Sequence, residues 1–238
     1  MQQKLHVIQN QQHLDPEKLP GKVVVVFDVI FATTTIAMAL ANGASEVITV
    51  PEIEDARKLG ADGVVLAGEK NAVIPSGFQT FAPLGLSKCE LKQKKLVLVS
   101  TNGTVALHRA RTAAHLYSGA IVNATALCEH ILAHHKNETI LLVCAASKDK
   151  FNIEDFAGAG MVASILTQAA QQRFCLSDSA VASITIAKSS PLNELLMYSR
   201  VGNVVAKLNL SADTELSSQQ DYFPVVPKYL NGRLLNIS

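Results

Sequence analysis

Four acidic residues and a few short hydroxyl-rich segments define the chemistry open to this chain. Asp28 begins Asp28-Val29-Ile30-Phe31-Ala32-Thr33-Thr34-Thr35, directly after the apolar run Val23–Phe27. Gly68-Glu69-Lys70-Asn71 follows a second apolar run, and Thr101-Asn102-Gly103-Thr104 a third. A fourth run leads into Ala145-Ala146-Ser147-Lys148-Asp149-Lys150 and then Asn152-Ile153-Glu154-Asp155. Small hydroxyl residues at a helix start leave free backbone N–H groups and a positive dipole end facing an anion. Carboxylates beside an anion site supply hard oxygen ligands for Mg2+. Together these describe phosphate chemistry, in which the metal neutralises charge and positions a nucleophilic water.

The residues therefore sort into roles. Asp28, Glu69, Glu154 and Asp155 are candidate metal ligands or bases for the water, with Asn102 beside them in the candidate catalytic set. Thr33, Thr34, Gly103 and Thr104, again with Asn102, are candidates to cradle phosphate, and Lys70 and Lys148 to add positive charge. Simpler readings stand beside these. Thr33 and Thr101 serve equally as helix N-caps, the commoner role of such residues. Asn152 followed by Asp155 reads as a cap with a carboxylate in the first turn, stable without metal. Taken alone, Glu154 and Asp155 read as structural. Asp28 is the exception, because it ends a buried strand, where an uncompensated carboxylate is costly.

Several familiar motifs are missing. No GxxxxGK, no GxGxxG after a strand and no GxSxG elbow occurs. The Asp-x-Asp pair of phosphoaspartyl enzymes is not found at Asp28-Val29-Ile30. Gly158-Ala159-Gly160 lies inside an apolar helical pattern, where close helix packing explains it. His130 and His134 have the i, i+4 spacing of a zinc pair, but no Glu follows His130, so the metal reading there is weak. His108 and His115 have no visible partners in the sequence.

Alternating elements must position these residues. Strands are expected at Lys22–Phe27, Glu46–Val50, Gly63–Ala67, Lys95–Ser100, Ala114–Tyr117 and Thr139–Cys144. Helices are expected at Thr34–Asn42, from Pro51, at Val105–Arg111, at Ala124–His135 and at about 154–172, with Gly43 closing the first. This pattern predicts an α/β fold, a three-layer α/β/α sandwich around a mostly parallel or mixed sheet. Beyond Ser177 the chain reads mostly as helices and loops, with Ser177 and Ser190 as N-caps and a loop at Ser217–Gln220. The stretch from about 71 to 92 reads as a long loop, either functional and lid-like or plain irregular surface. We expect one α/β unit over 1–238, divisible at most into subdomains of about 1–120 and 121–238.

Composition narrows the partners. The chain has 238 residues, 48% hydrophobic and 17% charged, which is globular composition. Lys and Arg total 21 against 20 Asp and Glu, a formal charge of +1, so no basic field exists to hold nucleic acid or an anionic membrane. Trp is absent, so stacking platforms are scarce. The polar start Met1–His6 has no apolar signal core. Four cysteines without CxxC spacing point to a reducing cytoplasm. The expected partner is a small anionic phosphorylated substrate, and a homodimer is compatible with the sequence.

In order, Asp28-Val29-Ile30-x-Ala32-Thr33-Thr34-Thr35, Gly68-Glu69, Thr101-Asn102-Gly103-Thr104, Asn123-Ala124 and Ile153-Glu154-Asp155 resemble the 2-phosphosulfolactate phosphatase family. The resemblance covers about residues 20 to 165 well and the last third loosely. It implies a Mg2+-dependent phosphatase that converts 2-phosphosulfolactate and water to 3-sulfolactate and phosphate, a step that belongs to coenzyme M synthesis in some organisms. The chain departs from the family pattern at the anion-recognising positions. The Arg of the family's Asp-Val-Leu-Arg-Ala-Thr-Thr-Thr is Phe31, and that of Gly-Glu-Arg is Lys70. Gly-Phe-Asp-x-x-Asn-Ser-Pro becomes Gly77-Phe78-Gln79-Thr80-Phe81-Ala82-Pro83, and Cys-Ala-Gly becomes Cys144-Ala145-Ala146. A lost bidentate charged contact costs ~2–5 kcal/mol of binding. Three readings follow: a phosphatase for a related phosphorylated acid with fewer negative groups, a 2-phosphosulfolactate phosphatase with a rearranged shell, or a non-catalytic relative that binds an anionic ligand or a protein.

Overall fold

Runs of Val, Ile and Leu, buried on both faces, form the middle of the sheet. In a computed structural model that describes residues 2–147 and 150–238, ten strands join in one sheet. They are β1 (Gln3–Ile8), β2 (Val23–Phe27), β3 (Glu46–Val50), β4 (Val64–Gly68), β5 (Lys95–Val99), β6 (His115–Gly119), β7 (Ile140–Cys144), β8 (Phe174–Leu176), β9 (Pro227–Leu230) and β10 (Arg233–Asn236). The helices are α1 (Ala32–Ala41), α2 (Ile53–Lys58), α3 (Pro83–Leu86), α4 (Gly103–Arg109), α5 (Ala124–His134), α6 (Ile153–Ala169), α7 (Asp178–Ser189), α8 (Leu192–Tyr198), α9 (Arg200–Ala206) and α10 (Ser211–Ser217).

The sheet is mixed, with helices on both faces, a three-layer α/β/α fold. Its order is β4-β5-β3-β10-β9-β6-β2-β7-β1-β8. Two parallel blocks, β4-β5-β3 and β6-β2-β7-β1-β8, are joined by the antiparallel hairpin β9-β10. The hairpin adds two strands to a part expected as mostly helices and loops. Its turn is Asn231-Gly232, both at positive φ, as a tight hairpin of this kind requires. Arg233 Nη1 anchors it to Glu46 Oε2 of β3 at 2.8 Å.

Alternation along β2 separates the two cores. Val24 and Val26 face Ile36, Met38, Ala106 and Leu107 of α1 and α4. Val23, Val25 and Phe27 face Leu127, Ile131, Phe156 and Leu166 of α5 and α6. Ser177 caps α7 by accepting from the Ala180 N–H, whereas Ser190 ends α7 instead of starting α8. Gly160 lets α7 approach α6 closely, since a Cβ there would stand 2.0 Å from the Ser183 carbonyl oxygen. The 71–92 stretch carries α3, and α10 reaches into the segment expected as a Ser/Gln loop. All four cysteines are unpaired. Among the described residues no helix is long and apolar enough to cross a membrane.

The curvature of the sheet makes the site. Five inter-strand steps separate β2 from β5 in the sheet order, which would be about 24 Å in a flat sheet. Yet a Cβ on Gly103, just after β5, would lie 2.5 Å from the Asp28 carboxylate after β2. The two parallel blocks therefore curl toward each other beyond the hairpin, and their carboxyl ends meet.

Candidate active site

A cavity of about 150 Å3 lies where the ends of β2, β4 and β5 converge. Asp28, Glu69 and Asn102 line it together with Ser100 and Thr101. Its other wall is apolar: Phe31 and Phe81 from two loops, and Val201, Val204 and Val205 from α9. Ligands of parallel α/β sheets bind at the carboxyl ends of strands, and this cavity is at such a position. Among the described residues no Lys, Arg or His lines it.

Asp28 is buried, 8% exposed. Burial, then the charges of Glu69 and Glu154, push its carboxyl up to about 8, against the pull of the Ala32 and Gly103 backbone N–H groups. Those two N–H groups start α1 and α4, so the carboxylate sits at the positive ends of both helices. Gly103 is required there because any side chain would collide with Asp28.

Glu69 organises the rim. Its Oε1 accepts from the Thr101 N–H at 2.6 Å, and its Oε2 from the Ala72 N–H and the Thr101 hydroxyl, each at 2.7 Å. Thr101 Oγ1 in turn accepts from the Asn71 N–H at 2.7 Å. Thr101 thus ties loops together, while Asn102 takes the N-cap position of α4 without a side-chain capping bond. The Asn102 amide remains a free polar group on the cavity wall, making no hydrogen bond to the described residues.

The threonine run is used internally. Thr33 Oγ1 donates to the Asp28 carbonyl oxygen at 2.9 Å and accepts from the Asp28 N–H at 3.1 Å. Thr34 Oγ1 donates to the Val29 carbonyl oxygen at 2.9 Å, and Thr35 Oγ1 to that of Phe81 at 2.8 Å. Thr104 Oγ1 donates to the Ser100 carbonyl oxygen at 3.0 Å, and its N–H donates to the Ser100 hydroxyl at 2.9 Å. These hydroxyls hold the strand–helix turns in shape, and none of Thr33, Thr34 or Thr104 lines the cavity. Thr35 also fixes Phe81, whose ring lies 6.1 Å from that of Phe31.

Glu154 and Asp155 stand behind Asp28, outside the cavity wall. Asp155 Oδ1 accepts from the Val29 N–H at 2.9 Å and Oδ2 from the Ala146 N–H at 3.1 Å, joining the loops after β2 and β7. Burial, then the charges of Asp28 and Glu154, raise its carboxyl well above the usual range. Glu154 is 1% exposed and neither carboxylate oxygen has a hydrogen-bond partner. Burial raises its pKa; Ser199 and Arg200 pull the other way, but Ser199 closes no bond of normal geometry to it. Arg200 bonds Asn152 Oδ1 at 2.6 Å instead.

Lys70 turns from the cavity to the Pro51 carbonyl oxygen at 3.0 Å and to Glu52 at 3.2 Å. Lys148 lies outside the described residues. The valines of α9 were not foreseen from the sequence. They sit over 170 residues from Asp28, and an apolar face on a short helix does not announce which cavity it closes. The apolar character of Phe31 and Phe81 was legible, and both do line the cavity.

Carboxylate oxygens are the donors that a hard divalent cation prefers. Glu69 and Glu154 lie near enough to Asp28 for their charges to raise its pKa, and the two buried oxygens of Glu154 lack any donor. The arrangement defines an α/β protein with a carboxylate-rimmed cavity for a small ligand at the strand ends. Residues 8–232 match the sequence profile of 2-phosphosulpholactate phosphatase. A protein of Carboxydothermus hydrogenoformans named "Probable 2-phosphosulfolactate phosphatase" is 39% identical over 92% of this chain and 93% of its own length. Proteins of the same name from Thermotoga petrophila and Clostridium novyi are 36% and 31% identical, over 89% and 95% of this chain and 90% and 97% of theirs. The chain belongs to the 2-phosphosulpholactate phosphatase family.

Proposed function

We propose that the protein is a phosphoric monoester hydrolase of the 2-phosphosulfolactate phosphatase type, assisted by Mg2+ and acting on the phosphate ester of a small 2-hydroxy acid. The observation that carries this reading is the buried Asp28 carboxylate at two helix N-termini, with Glu69 and Glu154 near enough to raise its pKa. Asp28, with Glu69 and Glu154, would hold the cation. When bound, it supplies charge neutralisation for the phosphate and acidifies a water. Asn102 offers a cavity-facing amide to a phosphate oxygen. Glu69 keeps the Asn71–Ala72 and Thr101 backbones in place, and Asp155 locks the loops after β2 and β7 so that Asp28 does not drift. Phe31, Phe81 and the α9 valines exclude water from the carbon skeleton of the substrate. Four unpaired thiols support a reducing, cytoplasmic setting.

Among the described residues no cationic side chain lines the wall, which favours an acid with fewer negative groups than 2-phosphosulfolactate. Phosphate release from 2-phosphosulfolactate and from 2-phospholactate, which lacks the sulfonate, tests the reading directly. Divalent-dependent release with higher kcat/KM on 2-phospholactate supports it. The same apolar wall also favours a second reading, a non-catalytic relative that binds a ligand there. No release from either compound, by folded chain with Mg2+ present, would leave that reading standing and end the first.

A further inference from the structure

We propose that His115 Nε2, His135 Nδ1 and Glu138 Oε1 form a separate binding site for a zinc-class divalent ion, at the end of the sheet opposite the cavity. One ligand atom from each of the three residues lies within 4.8 Å of the others. Glu138 Oε1 stands 3.4 Å from His135 Nδ1 and 4.0 Å from His115 Nε2. Ligand atoms around a tetrahedral zinc sit about 3.3 Å apart. The His135–Glu138 pair is therefore already at ligand spacing. The His115 ring, a third exposed, has only to swing inward.

The position is remote from the carboxylates. His115 begins β6, His135 ends α5, and Glu138 precedes β7. β6, β2 and β7 are parallel, so this is the amino end of the block in which the carboxyl end of β2 reaches the cavity. Two imidazoles and one carboxylate suit zinc, not Mg2+, which prefers oxygen.

The surroundings resemble those of a built site. The His135 carbonyl oxygen accepts from Gln3 Nε2 at 3.0 Å and from Arg173, and the Glu138 carbonyl oxygen from Gln3 at 2.6 Å. The turn carrying two of the ligands is thus fixed from both sides. His135 is 3% exposed and its far nitrogen, Nε2, lies 2.7 Å from the Tyr117 hydroxyl. The same hydroxyl lies 3.1 Å from His130 Nε2. A chain in which His135 Nε2–H donates to Tyr117 and Tyr117 donates to His130 leaves Nδ1 of His135 unprotonated toward the ion. Metal-bound histidines are oriented by such a partner on the other ring nitrogen. Without metal, a proton on Nδ1 shared with Glu138 closes the same network in reverse. The i, i+4 pair of the sequence is used otherwise: His130 and His134 stack with ring centres 4.3 Å apart, and His134 Nδ1 bonds the His130 carbonyl oxygen.

The test is calorimetric titration of the chelator-stripped full chain with Zn2+ at pH 7 in excess Mg2+, which occupies hard-oxygen sites. One Zn2+ per chain is expected. Tyr117→Phe should weaken it roughly 10–100-fold, as loss of an orienting partner does. His115→Asn and Glu138→Gln should weaken it more than that. Circular dichroism and retained phosphate release in His115→Asn, a partly exposed strand-end position, guard against misfolding. A Co2+ absorption spectrum with strong d–d bands, lost in His115→Asn, is the independent readout. Absence of stoichiometric Zn2+ binding, or undiminished affinity in both His115→Asn and Glu138→Gln, overturns the site. Affinity lost in His134→Asn but kept in His115→Asn would move the ion to the stacked pair and overturn it as well.

Discussion

Replacing Asp28 with asparagine removes a charge that its surroundings oppose. Burial, reinforced by Glu69 and Glu154, lifts this carboxyl from 3.8 to about 8 in the folded chain. Without metal, the folded state keeps a proton that the unfolded state has already lost. The unfolded chain binds fewer protons between about pH 4 and pH 8, so stability falls as pH rises through that window, by ~1.4 kcal/mol per unit. From pH 6 to pH 8 the loss from this one group is roughly 2 kcal/mol, because titration begins to level off near 8. Asparagine does not titrate, and its side-chain oxygen still accepts from the Ala32 and Gly103 N–H groups. In chelator, the stability of Asp28→Asn relative to the unsubstituted chain should therefore rise by about 2 kcal/mol between those pH values. Added Mg2+ should reverse the order. At one hundred times its dissociation constant it stabilises the unsubstituted chain by ~2.7 kcal/mol and the variant by far less. Urea denaturation at pH 6, 7 and 8, with chelator and with Mg2+, measures both effects. An advantage that does not change with pH, or equal stabilisation of both proteins by Mg2+, would refute the assignment of Asp28 as a buried, cation-seeking carboxyl.

Other outcomes follow from the same geometry. Phe31→Arg returns a guanidinium to the cavity wall and should raise kcat/KM on 2-phosphosulfolactate relative to 2-phospholactate; an unchanged ratio would show that the wall does not select the substrate. Gly103→Ala drives a Cβ to 2.5 Å from the Asp28 carboxylate, so phosphate release should fall at least tenfold with little change in far-UV dichroism. Thr33→Val should cost roughly 1–3 kcal/mol in urea denaturation through the lost pair of bonds to Asp28 backbone atoms, while KM stays near its original value. Gly160→Val, against the Ser183 carbonyl 2.0 Å away, should lower the melting temperature sharply without altering KM in the protein that remains folded.

The strands that carry the site were legible because burial on both faces leaves little freedom in composition. Val23–Phe27 is an unbroken apolar run, and the residue at its end had to be Asp28. β1 was obscured by its own alternation, with Lys4 and His6 interleaved among buried Leu5 and Val7, which reads as a polar terminus. The C-terminal hairpin left a signal at Asn231-Gly232 between Tyr229-Leu230 and Arg233-Leu234, a turn pair that favours antiparallel pairing. Within the site, residue type cannot separate a threonine that caps a turn from one that holds phosphate. Thr33, Thr34 and Thr104 carry the right hydroxyls, and only the contacts reveal that all are used by their own backbone. Lys70 has the right charge at the right strand end, but Glu52 competes for it from α2's cap, a partner eighteen residues away. The α9 valines close the cavity through tertiary packing alone, which no local pattern encodes.

The central claim is that these strand ends perform metal-assisted phosphate release. Inorganic phosphate freed from 2-phosphosulfolactate and related 2-phospho acids, measured first with Mg2+ and then with excess chelator, tests it most directly. The account predicts release that stops with chelator, returns with Mg2+ and is lost in Asp28→Asn. Release that persists undiminished in chelator, or at full rate in Asp28→Asn, would contradict it.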